Sequence, residues 1–121
     1  MSKKIPGILR RQVAARAGYR CEYCRRPEID SFLRYQSDHI ISRKHGGETS
    51  IHNLAHTCPV CNNTKGTDLA TVLGAGETLV RLFNPRKQSW FDHFEVMDGE
   101  IIPKTDTGTA TIKLLNLNQV N

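Results

Sequence analysis

Apolar residues recur at helical spacing near the start of the chain, where Leu9, Val13 and Ala17 stand four apart. With Pro6 before them and Gly18 after them, they predict a first helix over residues 6–17. A compact turn bearing two cysteines follows at 19–24. Residues 32–41 (Phe-Leu-Arg-Tyr-Gln-Ser-Asp-His-Ile-Ile) suit an extended segment anchored by Ile40 and Ile41. Gly46-Gly47 makes 42–50 a flexible turn, and Pro59 and Gly66 bracket a short helix. Beyond Gly74 and Gly76, loose alternation over 78–83 predicts a strand closed by Asn84-Pro85. Segments 90–96 and 100–102 flank Asp98-Gly99, a two-residue hairpin turn, with Trp90 and Phe91 expected in the core. Ala110, Leu114 and Leu117 predict a closing helix capped by Thr107.

Composition narrows the class. At 121 residues, with 38% apolar and 24% charged side chains, the chain has the make-up of one small folded domain. No apolar run approaches the roughly 18 residues of a membrane span. No hydrophobic segment follows Met1-Ser2-Lys3-Lys4. The expectation is a cytoplasmic protein without membrane contact, a monomer or weak dimer. The net charge of +5 is unevenly placed: residues 1–50 carry 11 basic and 5 acidic side chains, residues 51–121 carry 6 and 7. An anionic partner would meet the N-terminal half, although a solvated basic face has the same composition.

Four cysteines fall in two Cys-x-x-Cys pairs, Cys21 with Cys24 and Cys58 with Cys61. Two disulfides would suit a secreted chain, and a redox pair would need only one such motif. Two pairs spaced by two residues suit thiolates converging on one zinc ion, which four sulfurs would leave no open position for water. That zinc is structural. The segment between the pairs is longer than a minimal zinc ribbon needs, so it is the place to look for chemistry.

That segment holds Asp38-His39 at the end of the expected strand and Asn53-Leu54 after the glycine loop. Asn62 follows the fourth cysteine and precedes Lys65 by one helical turn. Phosphodiester hydrolysis needs a base for water and a cation for the phosphate charge. A hard cation such as Mg²⁺ or Mn²⁺ takes oxygen ligands, which Asp38 and Asn62 offer. His39 has the intrinsic pKa of a base near neutrality if a partner fixes its tautomer, and Asn53 is the candidate partner. Neighbours in a strand point to opposite faces, so Asp38 and His39 diverge unless the strand ends or distorts there.

Cys21-x-x-Cys24, Asp38-His39-Ile40-Ile41, Gly46-Gly47, Asn53-Leu54 and Cys58-Pro59-Val60-Cys61-Asn62-x-x-Lys65-Gly66 together resemble the HNH endonuclease family. Leu82-Phe83-Asn84-Pro85-Arg86, Trp90 and His93-Phe94 resemble the extension of a bacterial, notably cyanobacterial, subgroup of small HNH proteins. The resemblance implies an α+β fold: a ββα-metal core framed by the four-cysteine zinc site, with a C-terminal hairpin and helix. Residues 1–74 would form the HNH domain and 75–121 an extension packed on it. It implies metal-dependent DNA hydrolysis to 5′-phosphate and 3′-hydroxyl ends. His39 would be the general base, Asn53 its orienting residue, and Asp38 and Asn62 the ligands of the catalytic ion. Ser42 departs from the proline often found there, which bears on the turn. Arg25, Arg43, Lys44, His45 and Lys65 are the expected phosphate contacts. The competing expectation is a zinc-dependent nucleic-acid-binding module without catalysis, which would have no need of Asp38, His39 and Asn62 together.

Overall fold

The computed structural model describes residues 5–29 and 34–119, so Phe32 and Leu33 of the expected extended segment lie outside the described residues. The first helix, α1 (Gly7–Arg16), starts after Pro6 and gives way at Ala17 to Gly18, whose φ of +65° turns the chain away. Its apolar stripe faces inward. Val13 is fully buried with Ile5 and Leu54, and Leu9 and Ile51 close the sides of this small cluster.

Strand β1 (Gln36–His39) pairs antiparallel with β2 (Leu54–Thr57), placing Asp38 opposite Ala55 and His39 opposite Leu54. All four residues of β2 are buried, because α1 covers one face and the cysteine-centred core the other. The connection between these strands is not the flexible turn that Gly46-Gly47 suggests. Arg43–His45 forms a 3-10 turn, and Asn53 pins the loop shut. Its Oδ1 accepts from the Ile41 N–H at 3.0 Å, while Nδ2 donates to the Ile41 and Glu48 carbonyls at 2.9 and 2.8 Å. The amide thereby substitutes for a missing pair of backbone hydrogen bonds.

Helix α2 (Pro59–Lys65) has the predicted ends: Cys58 caps it through its sulfur, Pro59 opens it and Gly66 closes it. Next comes a hairpin of β3 (Ala70–Leu73) and β4 (Thr78–Arg81). The sequence pattern missed β3 and overran β4, since four residues are too few to establish a period. The chain crosses residue 74 inside this hairpin. Segment 90–96 also differs from expectation: α3 (Trp90–His93) is one helical turn, and strand β5 (Phe94–Met97) begins only after it. Trp90 points inward and donates from Nε1 to the Tyr23 carbonyl at 2.8 Å, whereas Phe91, one residue on, is 57% exposed rather than in the core. Asp98 and Gly99, at φ +51° and +78°, make the predicted turn into β6 (Glu100–Pro103). The last helix, α4 (Asp106–Leu115), is capped by Thr105 rather than Thr107, because Thr105 is extended and its hydroxyl accepts from the Gly108 N–H.

Among the described residues the strands form three separate two-stranded hairpins, and with the helices they give the expected α+β class. One core gathers the four cysteines, Tyr23, Ile40 and Ala55 with Phe83, Trp90, Phe94, Ile101, Leu115 and Leu117 from the later chain.

Gly47 gives a direct test of the pinned loop. A Cβ there would lie 1.7 Å from the Ile41 oxygen and 2.8 Å from Asn53 Nδ2, while Gly76 has open space around it. Gly47→Ala is expected to lower the unfolding free energy by about 1–3 kcal/mol. Gly76→Ala should stay within about 0.5 kcal/mol of the parent. Equal denaturation midpoints for the two variants would show that Asn53 does not pin this loop.

Candidate active site and metal centre

The two cysteine pairs arrive on different local structures. Cys21 and Cys24 sit on a tight turn closed by the Arg20–Pro27 bridge, with the Cys21 N–H donating to the Arg26 carbonyl at 3.0 Å. Arg25, at φ +70°, completes the turn. Cys58 and Cys61 occupy the cap and first turn of α2. Backbone amides point at sulfur in both pairs, Cys24 N–H to Cys21 Sγ at 3.5 Å and Cys61 N–H to Cys58 Sγ at 3.4 Å. All four sulfurs are buried and lie within 4.8 Å of one another, with Cys24 and Cys58 at 3.7 Å. A disulfide needs about 2.0 Å. A metal–sulfur bond of about 2.3 Å in a tetrahedron puts sulfurs about 3.8 Å apart, and the cluster has that spacing. The neighbouring thiols hydrogen-bond the Cys58 sulfur and hold its pKa below the ordinary thiol range. The four cysteines are positioned to bind a metal.

At the end of β1, Asp38 and His39 face apart, as strand alternation requires. Asp38 turns toward α2, where Lys65 Nζ lies 3.0 Å from Oδ2. The two form a buried ion pair, and this oxygen is itself shut off from solvent. Lys65 also donates to the His39 carbonyl at 3.2 Å and is 2% exposed. It is therefore not the surface phosphate contact that the sequence suggests; the nearby carboxylate drew it inside. Burial pushes the Asp38 carboxyl above its usual range, with Lys65 and His39 pulling against it.

His39 turns toward the pinned loop. Its Nε2 meets Thr49 Oγ1 at 2.8 Å, and that oxygen also accepts from Arg43 Nη1 at 3.1 Å. Burial lowers the imidazole pKa below 6.5; Asp38 opposes this, and Arg43 and Lys65 add to it. These effects favour the neutral imidazole. The partner expected for it, Asn53, spends its amide on Ile41 and Glu48, and Thr49 takes that place instead. No spacing rule marks Thr49, since only closure of the loop brings it to the ring.

Residues 21–68 match the HNH endonuclease family model. Neither a search of curated proteins nor one of solved structures gave a match. The HNH match spans both cysteine pairs, the β1–β2 hairpin and α2. At the level of the family it supports a nuclease-type function on nucleic acid.

Within the HNH segment, Asn62 is half-buried one turn before Lys65 on α2. Arg43, Lys44 and His45 stand exposed together on the 3-10 turn beside His39. Arg25 is elsewhere, its guanidinium 5.6 Å from the Trp90 ring and 5.5 Å from that of Phe91. Arg86 pairs with Glu22 and donates to the Leu54 carbonyl at 3.2 Å. Among the described residues no helix is long and apolar enough to cross a membrane.

A structural metal can contribute about 10–16 kcal/mol of apparent free energy, as much as a small domain's whole stability. Cys61→Ser is therefore expected to lose both the bound metal, measured by elemental analysis, and cooperative thermal unfolding. A metal-free Cys61→Ser protein that melts like the parent would remove the cluster from the fold's support.

Proposed function

We propose that this protein is a divalent-metal-dependent DNA endonuclease that leaves 5′-phosphate and 3′-hydroxyl ends, built around a structural zinc held by Cys21, Cys24, Cys58 and Cys61. The observation that carries the reading is the end of β1, where an imidazole held by Thr49 and a buried carboxylate held by Lys65 occupy successive residues within the HNH match. The donor set fits a hard cation. Asp38 offers a carboxylate and Asn62 an amide oxygen, and both are oxygen ligands of the kind Mg²⁺ or Mn²⁺ prefers. When bound, such an ion offsets charge on the phosphate and the departing oxygen.

His39 acts as the general base. Thr49 Oγ1 accepts from Arg43 and has capacity for a second donor, so in this reading the His39 Nε2–H donates to it. Nδ1 is then the free nitrogen, and it takes the proton from the attacking water. Thr49 and Arg43 position the ring. Asn53 acts one step further out by pinning the loop that carries Thr49. Lys65 neutralises Asp38 within the protein and ties α2 to the β1 end. Arg43, Lys44 and His45 supply exposed positive and donor groups for the phosphates beside the base. Arg25 lies against an aromatic pair and contributes at most a peripheral phosphate contact.

Nicking of supercoiled plasmid with Mg²⁺ or Mn²⁺, with a chelator control, tests this. Parent protein should nick only with the divalent ion. His39→Ala should lose about 10²–10⁴-fold in rate while keeping its metal and its melting temperature. Thr49→Val should fall between parent and His39→Ala. Nicking by His39→Ala at the parent rate would place the base elsewhere. A folded, metal-loaded parent that binds DNA without cutting it would favour a pure binding module.

A further inference from the structure

A second feature lies on the His39 side of the hairpin, away from Asp38 and α2. A groove of about 360 Å³ runs between α1 and β1, lined by Arg10, Arg11, Arg34, Tyr19, Tyr35 and Ser37 among others. Its size suits one nucleotide-sized group. Its lining combines three guanidiniums with two phenol rings. Glu28 is the carboxylate in the lining, and both its oxygens are committed to the protein: Oε1 to His56 Nε2 at 2.9 Å and Oε2 to the Tyr35 N–H at 3.0 Å. The groove therefore presents mainly positive charge.

The Tyr35 ring and the Tyr19 backbone are held in place. The Tyr35 hydroxyl donates to the Arg26 carbonyl at 3.1 Å, and its ring rests against His56 with centroids 5.3 Å apart. Tyr19 is 56% exposed and adopts φ +59°, in the left-handed region that a tyrosine enters at a cost of about 1–2 kcal/mol. Its N–H donates to the Ala14 carbonyl and its carbonyl accepts from the Glu28 N–H at 2.8 Å, so the strained backbone is fixed where the residue lines the groove. Arg10 is steadied by its Nε, which donates to the Ile5 carbonyl at 3.1 Å.

We propose that this groove binds an unpaired stretch of the substrate strand, with phosphate on Arg10, Arg11 and Arg34 and a base stacked on Tyr19 or Tyr35. The proposal rests on the nuclease reading and deepens it by naming the substrate class: nucleic acid with single-stranded character at or beside the cut. In a duplex the base faces are covered by their neighbours, so aromatic rings set among guanidiniums gain nothing from it. A duplex would be served by exposed cations alone, such as Arg43 and Lys44. Position supports the link to catalysis. Ser37 in the groove and His39 lie on one face of β1, two residues or about 7 Å apart. One strand lying in the groove would thus lead to the proposed base.

Fluorescence anisotropy of a labelled oligothymidine, and of a duplex of the same length, tests this with metal-loaded full-length protein and no added Mg²⁺. The oligothymidine should bind at least about fivefold tighter than the duplex. Tyr19→Gly removes the ring and relieves the backbone strain, so the variant should melt no lower than the parent. It should still bind oligothymidine about 5- to 100-fold more weakly, with duplex affinity unchanged. Tyr19→Phe should bind like the parent. Arg11→Gln and Arg34→Gln should each flatten the slope of log affinity against log salt by about 0.7. Undiminished oligothymidine binding by Tyr19→Gly, or equal affinity for the two probes, would overturn the proposal. Plasmid nicking by the same preparations separates it from the catalytic reading. Tyr19-dependent binding by a protein that nicks nothing would keep the groove and discard the catalysis. Nicking that depends on His39, alongside binding indifferent to Tyr19, would discard the groove.

Discussion

Everything in this small fold leans on the convergence of four cysteine sulfurs. A chain of this size buries too little apolar surface to spend residues freely, and its largest core is arranged around those sulfurs. Cys21 and Cys24 arrive on a strained turn after α1, and Cys58 and Cys61 on the first turn of α2. Joining the two pairs forces the β1–β2 hairpin between them to fold back, and sets α2 beside the end of β1. Four buried thiols this close cannot all ionise without a cation among them. A metal there would act as the central atom of the core. The later chain depends on the same point, since Trp90 hydrogen-bonds the Tyr23 carbonyl between Cys21 and Cys24.

Once α2 is placed, the Asp38–Lys65 pair follows, and it costs something. Two charges leave water, and burial acts against the ionised carboxylate while the ammonium acts for it. Pairs of this kind contribute little net stability, but either partner alone would be strongly destabilising. The pair therefore serves placement more than stability. It links the last turn of α2 to the strand residue it must face, and the same Lys65 holds the His39 carbonyl.

The sequence was most legible where the determining geometry is local. The cysteine spacing, the Pro59 and Gly66 ends of α2, and the Asp98-Gly99 turn are each settled within a few residues, and each stands as read. It was least legible where a side chain's role is set by a partner far along the chain. Lys65 reads as a surface cation until Asp38 is beside it. Asn53 reads as the partner of His39 until the loop closes and leaves that place to Thr49. Trp90 and Phe91 read as equivalent core residues, but a single helical turn sends one inward and the other out. The 42–50 loop reads as flexible because its glycines are visible, while the amide that pins it lies outside the motif.

Strand alternation, the apparent obstacle to grouping Asp38 with His39, organises the whole surface. A single strand cannot aim both side chains at one point, so the two faces of β1 take different tasks. One face carries Asp38 to Lys65 on α2. The other carries Ser37 and His39, with the imidazole against Thr49 at one end and the arginine- and tyrosine-lined groove at the other. In the proposed reading, a strand of nucleic acid approaches along the α1 side and presents its phosphate across the edge of β1, between the two faces. The divergence that looks unfavourable in the sequence keeps the His39 imidazole and the buried carboxylate from satisfying each other. It leaves the imidazole to Thr49 and the carboxylate to Lys65, an arrangement that one shared hydrogen bond between them would remove.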